Sequence, residues 1–240
     1  GDTALKTRPV VVGLGPAGLF AALLLARSGF RPLVLERGPE LDERVKAVEH
    51  FEKTGELNLN ANIQFGEGGA GTFSDGKLTT RVGDPLCAFV TDAFLQHGAP
   101  ADIAWRQKPH VGTDLLRGII RSIRQEIIAL GGEVRFNTAL TGLKIENGAL
   151  ASVETTAGDF ACEQLILAVG HSARDTFAML HGSGLPLECK PFSVGFRAEH
   201  LQTEIDKSLY HAAAGHPVLP VGEYQLSQHV SGGRCVYTFC

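Results

Sequence analysis

The chain has 240 residues, 44% hydrophobic and 20% charged, with a net charge of −4; this is an ordinary globular composition, long enough for one large domain or for one domain and part of a second. Acids and bases are mixed and no basic stripe runs along it, which excludes a nucleic-acid footprint. Five cysteines, an odd number with no C-x-x-C pair, exclude a disulfide framework and a zinc site and fit a reduced, cytoplasmic protein.

Lys6 and Arg8 precede an apolar run from Pro9 to Ala26 that imitates a secretory signal. Gly13, Gly15, Pro16 and Gly18 interrupt it. A strand, a turn and a helix account for those residues; an exported or membrane-inserted apolar helix does not. Val10–Leu14 reads as a buried parallel strand. Pro16–Ser28 reads as a buried helix closed by Gly29. Residues 32–36 (PLVLE) read as the second strand of a βαβ unit.

Residues 37–132 form a long insertion. It holds a helix at Leu41–Thr54, a glycine-rich loop at Gly66–Gly76 and a helix near Pro85–His97, opened by Asp84. Thr113–Leu130 is an amphipathic helix, with Leu115, Ile119, Ile123 and Ile127 at intervals of four and Leu116 and Ile120 beside them. Glu133–Asn137 reads as the third parallel strand. Asn147–Gly148 joins two strands of a hairpin, Phe160–Cys162 adds a third, and Leu165–Val169 returns to the parallel sheet. Arg174–His181 reads as a short helix. Near residue 187 the texture changes: Phe192, Val194, Phe196 and Ala198 alternate with Ser193, Gly195, Arg197 and Glu199, the pattern of a half-exposed strand. The expected fold is α/β: a Rossmann-like parallel sheet with an antiparallel meander over residues 1–186, and the start of an antiparallel-rich second domain over 187–240.

Gly13, Gly15 and Gly18 spell G-x-G-x-x-G between a strand and a helix. The first glycine permits the tight turn, the second the close approach of backbone to a pyrophosphate, the third close helix–strand packing. The pyrophosphate sits on the helix N-terminus, here Pro16–Ala17, where free N–H groups and the dipole favour an anion. Glu36, 21 residues after Gly15, ends the second strand, where a carboxylate accepts hydrogen bonds from a ribose diol. Its charge disfavours a 2′-phosphate there, an effect that the neighbouring Arg37 softens.

The fingerprint itself does not choose between FAD and NAD. The spacing after it does: nearly a hundred residues separate Glu36 from Glu133, where a plain NAD domain has a short crossover. The insertion, the meander and the Ala168–Val169–Gly170 turn resemble the glutathione-reductase-like FAD family. That resemblance implies that this turn passes close to the dinucleotide and that the Leu140 backbone meets the adenine. The segments GLGPAGLFAALLLARSG, FGEGGAGTFSDGKLTTR, AVGHSARDTF and PFSVGFRAEH together resemble a bacterial family of uncharacterised FAD-dependent dehydrogenases. The family implies that Gly69, Ala70, Gly71 and Ser74 run beside the pyrophosphate or the flavin edge. A flavin carries its own redox chemistry, so the expected activity is hydride or electron transfer. The partners are a small-molecule substrate and NAD(P)H as a possible electron donor. No residue announces itself as catalytic, and no metal is expected. A flavin module without turnover and an NAD-linked Rossmann dehydrogenase stay open beside this reading. The sequence also reads as a truncated chain or gene fragment, because the domain opened near Leu187 has only about fifty residues.

Overall fold

The three valines Val10–Val12 form β1, buried on both faces. In the computed structural model, which describes residues 5–74, 78, 82–105 and 111–238, β1 lies between β2 (Leu33–Leu35) and β7 (Leu165–Leu167), with β3 (Glu133–Arg135) outside β2. All three pairings are parallel: Val10 is opposite both Leu33 and Leu165, and Leu33 is opposite Glu133. The order β3–β2–β1–β7 is the half-sheet of a dinucleotide-binding fold.

Alternation along the strands assigns the two faces. Val11 and Val34 point to a core shared with α1 (Pro16–Arg27), α3 (Cys87–Gln96) and α4 (Thr113–Ala129). Val10, Val12, Leu33 and Leu35 point to a second core under the antiparallel meander β4 (Leu140–Glu146), β5 (Ala149–Thr155) and β6 (Gly158–Ala161). The sheet is therefore covered on both sides, as parallel sheets require. Each buried Val, Leu or Ile contributes about 1.5–3 kcal/mol by removal from water. α4 supplies Leu116, Ile119, Ile120, Ile123 and Ile127. Leu115, placed by periodicity on the same face, is 42% exposed instead. Asn147 and Gly148 both have positive φ, which gives the primed turn that joins twisted strands in a tight hairpin. α2 (Leu41–Thr54) ends at Gly55, which is left-handed with φ 78°; α5 (Arg174–Gly182) follows β7.

The chain divides into two compact units, Gly1–Leu187 and Glu188–Cys240. The second contains α6 (Gln202–Tyr210) and a hairpin of β8 (Ser227–His229) and β9 (Cys235–Tyr237). Asp206 Oδ1 accepts hydrogen bonds from the Gly222 N–H (2.6 Å) and the Gln202 amide (2.8 Å), fixing that segment to α6. The strand expected at Phe192–Ala198 is not formed; Phe192, Val194 and Phe196 are fully solvent-facing. Alternation is a preference that needs a partner strand. Among the described residues the only sheet in this unit is the β8–β9 pair, and a lone hairpin is marginal. Among the described residues no helix is long and apolar enough to cross a membrane.

Candidate functional site

The carboxyl ends of β1 and β2 open onto a cavity of about 430 Å3. That is where open α/β sheets bind ligands, and the volume falls within the range of ligand pockets. Its floor is the glycine turn between β1 and α1. Each glycine of that turn has a different geometric reason to lack a side chain. Gly13 has φ +97°, and a Cβ there would lie 2.4 Å from the Ala168 carbonyl oxygen. A Cβ on Gly18 would lie 1.8 Å from the Gly13 carbonyl oxygen. At Gly15 a Cβ would meet nothing within 4 Å. Gly13 and Gly18 are thus required by the protein's own packing, whereas Gly15 faces open space.

Gly15 also caps α1, with Pro16 at the first helical position. The first-turn N–H groups of a helix have no intrahelical partner. Here no side chain caps them, and the first turn holds no acidic residue. The positive end of such a helix favours an anion.

Glu36 is 4% exposed and lines one wall. Its Oε2 accepts the Leu14 N–H at 2.8 Å and its Oε1 the Gly38 N–H at 2.9 Å. It is therefore part of the glycine turn as well as a wall of the cavity. A carboxylate has about four acceptor positions, so two remain for hydroxyl groups. Gly38 makes this possible: a Cβ there would stand 2.5 Å from the Asn60 carbonyl oxygen and 3.3 Å from Glu36 Oε1. Arg37 also lines the cavity but is engaged by Asp175 of α5; the Arg37 guanidinium holds the Asp175 carboxyl below its ordinary range.

The opposite wall is the glycine-rich loop. Gln64, Phe65, Gly66, Gly69 and Ala70 face the cavity. The Gly68 N–H donates to the Leu14 carbonyl at 2.8 Å, and a Cβ on Gly69 would stand 2.6 Å from Pro16 Cδ. The loop thus lies directly against the fingerprint turn. Behind it, fully buried, is Arg44 of α2. Its guanidinium donates to the carbonyls of Asn62 (3.0 Å), Ile63 (3.1 Å), Glu67 (2.7 Å) and Gly69 (3.0 Å) and to Thr72 Oγ1 (3.0 Å). Burial lowers its pKa to about 10, against the favourable fields of Glu36 and Glu67. The buried Glu67 carboxylate accepts the Leu41 N–H and Arg124 Nε, both at 2.7 Å. Burial nevertheless pushes its pKa upward, outweighing those partners.

Of the residues singled out in the sequence, Gly13, Gly15, Pro16, Ala17, Glu36, Arg37, Gly69, Ala70, Leu140, Ala168 and Gly170 line this one cavity. Gly18 lies beneath the turn. Gly71 and Ser74 do not line it: a Gly71 Cβ would face Leu116, and the Ser74 carbonyl accepts the Thr113 hydroxyl at 2.5 Å. Asp75, Gly76 and Lys77 lie outside the described residues. The sequence did not single out Gln64, Phe65 or Thr138, nor Thr176, Phe177 and Leu180 from α5, all of which line the cavity. His171 is exposed and pairs with its neighbour Ser172 at 2.9 Å.

Residues 191–240 match the family model described as FAD-dependent protein, C-terminal domain-like. The resemblance to an FAD-dependent family is borne out by that match, and FAD is the cofactor the family's description names. The whole chain is 50% identical to an uncharacterised protein of Clostridium beijerinckii, covering 100% of this chain and 45% of that one. It is 27% identical, over 89% of its own length and 49% of the other's, to digeranylgeranylglycerophospholipid reductase 1 of Methanococcoides burtonii. The chain thus spans about half the length of the curated relatives it matches. Among solved structures it is similar to THI4 of Thermovibrio ammonificans, with a TM-score of 0.48 at 14% identity over 75% of this chain and 64% of that one.

Proposed function

We propose that the cavity at the end of β1 holds FAD and that the whole protein is an FAD-dependent oxidoreductase. The observation that carries the reading is the open space at Gly15, set between an uncapped helix N-terminus and the buried Glu36 carboxylate. Gly13, Gly15 and Gly18, with Pro16 and Ala17, form the seat for the pyrophosphate. Glu36 accepts from the adenosine ribose, with Arg37 at the rim, and Leu140 stands on the adenine side. Gly69 and Ala70, with Ala168 and Gly170, are assigned to the remainder of the cofactor, whereas Gly71 and Ser74 lie off the cavity. Bound FAD supplies two-electron transfer. The residues described here bind it, orient it and exclude water from its adenosine half.

A small-molecule substrate and NAD(P)H as electron donor complete the proposal, with residues 1–186 as the flavin-binding domain and 187–240 as part of a substrate-type domain. A reduced, cytoplasmic setting belongs to the same reading. Denaturing the purified protein and identifying what it releases tests the cofactor: FAD is expected, and NAD or nothing overturns it. Reduction of the bound flavin by NAD(P)H under anaerobic conditions separates a turnover enzyme from a flavin module without one.

A further inference from the structure

The glycine-rich loop is held from behind mainly by one side chain, Arg44, with Arg117 Nε adding a bond to the Thr72 carbonyl at 2.9 Å. Arg44 makes five hydrogen bonds, and every acceptor lies between Asn62 and Thr72. Nε donates to Asn62, Nη2 to Ile63, and the two Nη1 hydrogens are shared among Glu67, Gly69 and Thr72, so the planar guanidinium ties the positions of these oxygens to one another. Thr72 closes the arrangement by donating its own hydroxyl to the Gly69 carbonyl at 2.7 Å. Phe73 covers it: the Arg44 and Arg117 guanidiniums lie 4.8 Å and 5.1 Å from the Phe73 ring centre.

Among the described residues the cation has no carboxylate as a hydrogen-bond partner. A buried charge is costly unless it is paired or fully hydrogen-bonded, and here loop carbonyls do that work. The loop cannot shift without exposing the charge to unsatisfied burial, and Arg44 cannot move without releasing the loop. The same loop presents Gly66, Gly69 and Ala70 to the cavity and rests Gly69 on Pro16 of the fingerprint helix.

We infer that Arg44 is the positioning residue of the cofactor site: it presets the Asn62–Thr72 loop as the cavity wall against Pro16, so that FAD meets a wall already in place. This rests on the FAD reading above. Preorganisation acts through affinity, since a loop ordered only on binding subtracts its ordering entropy from the binding free energy. Arg44→Lys is the decisive variant, because it keeps a cation and supplies three donors where five acceptors wait.

The experiment compares full-length wild type and Arg44→Lys for FAD affinity, for fluorescence of the bound flavin and for hydrogen exchange of the 62–72 amides. Expected for Arg44→Lys are retained helix and sheet content, an FAD Kd raised by about tenfold or more, faster exchange confined to the loop, and brighter bound flavin. A folded Arg44→Lys with wild-type Kd and wild-type loop exchange overturns the inference. A lowered melting temperature with unchanged Kd also overturns it, because that is the signature of a structural arginine alone. If Arg44→Lys does not fold, Thr72→Val decides: it removes one acceptor and keeps the volume, and an unchanged Kd there overturns the inference just as a several-fold rise supports it. A wild-type protein that takes up no FAD rejects the functional reading itself; wild-type binding with an indifferent Arg44 rejects only this inference.

Discussion

The guanidinium of Arg37, on the loop after β2, meets both carboxylate oxygens of Asp175 at the start of α5. Arg37 lines the cavity, as do Ala173 and Thr176 on either side of Asp175, so the pair ties two of its walls together. Both side chains are partly exposed, and an exposed pair contributes little to stability, about 0–1 kcal/mol. Asp175→Asn should therefore leave the melting temperature nearly unchanged while speeding FAD release at low salt. Stopped-flow release after dilution is the check; an unchanged rate means the pair does not restrain the ligand. Because Arg37 holds the Asp175 carboxyl below its ordinary value of 3.8, the pair persists through neutral pH and is lost only as pH falls below that value.

Gly15 and Gly18 should fail in opposite ways. A side chain at Gly15 enters open space from an extended backbone, φ −67° and ψ −176°. Gly15→Val should fold normally and hold no FAD. At Gly18 even a methyl group collides with the Gly13 carbonyl. Gly18→Ala should destabilise by about 1–3 kcal/mol or more whether or not cofactor is present. Melting curves with and without FAD distinguish them. A Gly15→Val protein with full flavin content removes the pyrophosphate seat from this turn.

Glu36 has two roles, and its substitution should report both. Glu36→Gln keeps the shape but offers one oxygen to two backbone N–H groups, those of Leu14 and Gly38. One is left unsatisfied in a buried site, at a cost of about 1–3 kcal/mol. The expected outcome is a lower melting temperature for the cofactor-free protein together with weaker FAD binding. A variant that loses only affinity means that the backbone bonds do not matter to the fold.

Away from the cavity, Arg27 of α1 grips Glu126 of α4 with two hydrogen bonds of 2.8 Å, and His97 Nε2 reaches the same carboxylate at 2.7 Å. The Arg27 bond, ahead of burial, holds the Glu126 carboxyl below its ordinary value of 4.5. A carboxylate depressed by folding stabilises above its unfolded pKa, and that contribution is lost as pH falls through the folded value. Thermal stability should therefore drop on acidification below about 4.5, and Glu126→Gln should flatten that part of the curve. An identical slope in the variant assigns the acid sensitivity to other carboxylates.

The parallel strands, the glycine turn and the Asn147–Gly148 hairpin were legible because each is local: a few adjacent residues carry both the pattern and its physical reason. Arg44 was not. It lies in LDERVKAVEHFEKT, a helix so charged that each arginine or lysine reads as solvated. Its burial is decided by carbonyl and hydroxyl oxygens 18 to 28 residues away. The α5 side of the cavity was missed for the same reason: Thr176, Phe177 and Leu180 acquire a role only when the chain returns to β1. The strand expected at Phe192–Ala198 shows the converse failure, an apt local pattern with no partner to pair it.

Gly13 packs on the Ala168 carbonyl, and Val10 pairs with Leu165. The fingerprint is thus synthesised well before the segment that completes it, Leu165–Ala168. Until Leu165–Ala168 has been synthesised, β1 has an open hydrogen-bonding edge and the glycine turn lacks the backbone that shapes it. A sheet closed across so much sequence forms slowly, and the exposed edge invites pairing with other chains in the meantime. Expression at lower temperature, or pauses placed after codon 168, should therefore raise the yield of native protein more than any stabilising change within the first βαβ unit.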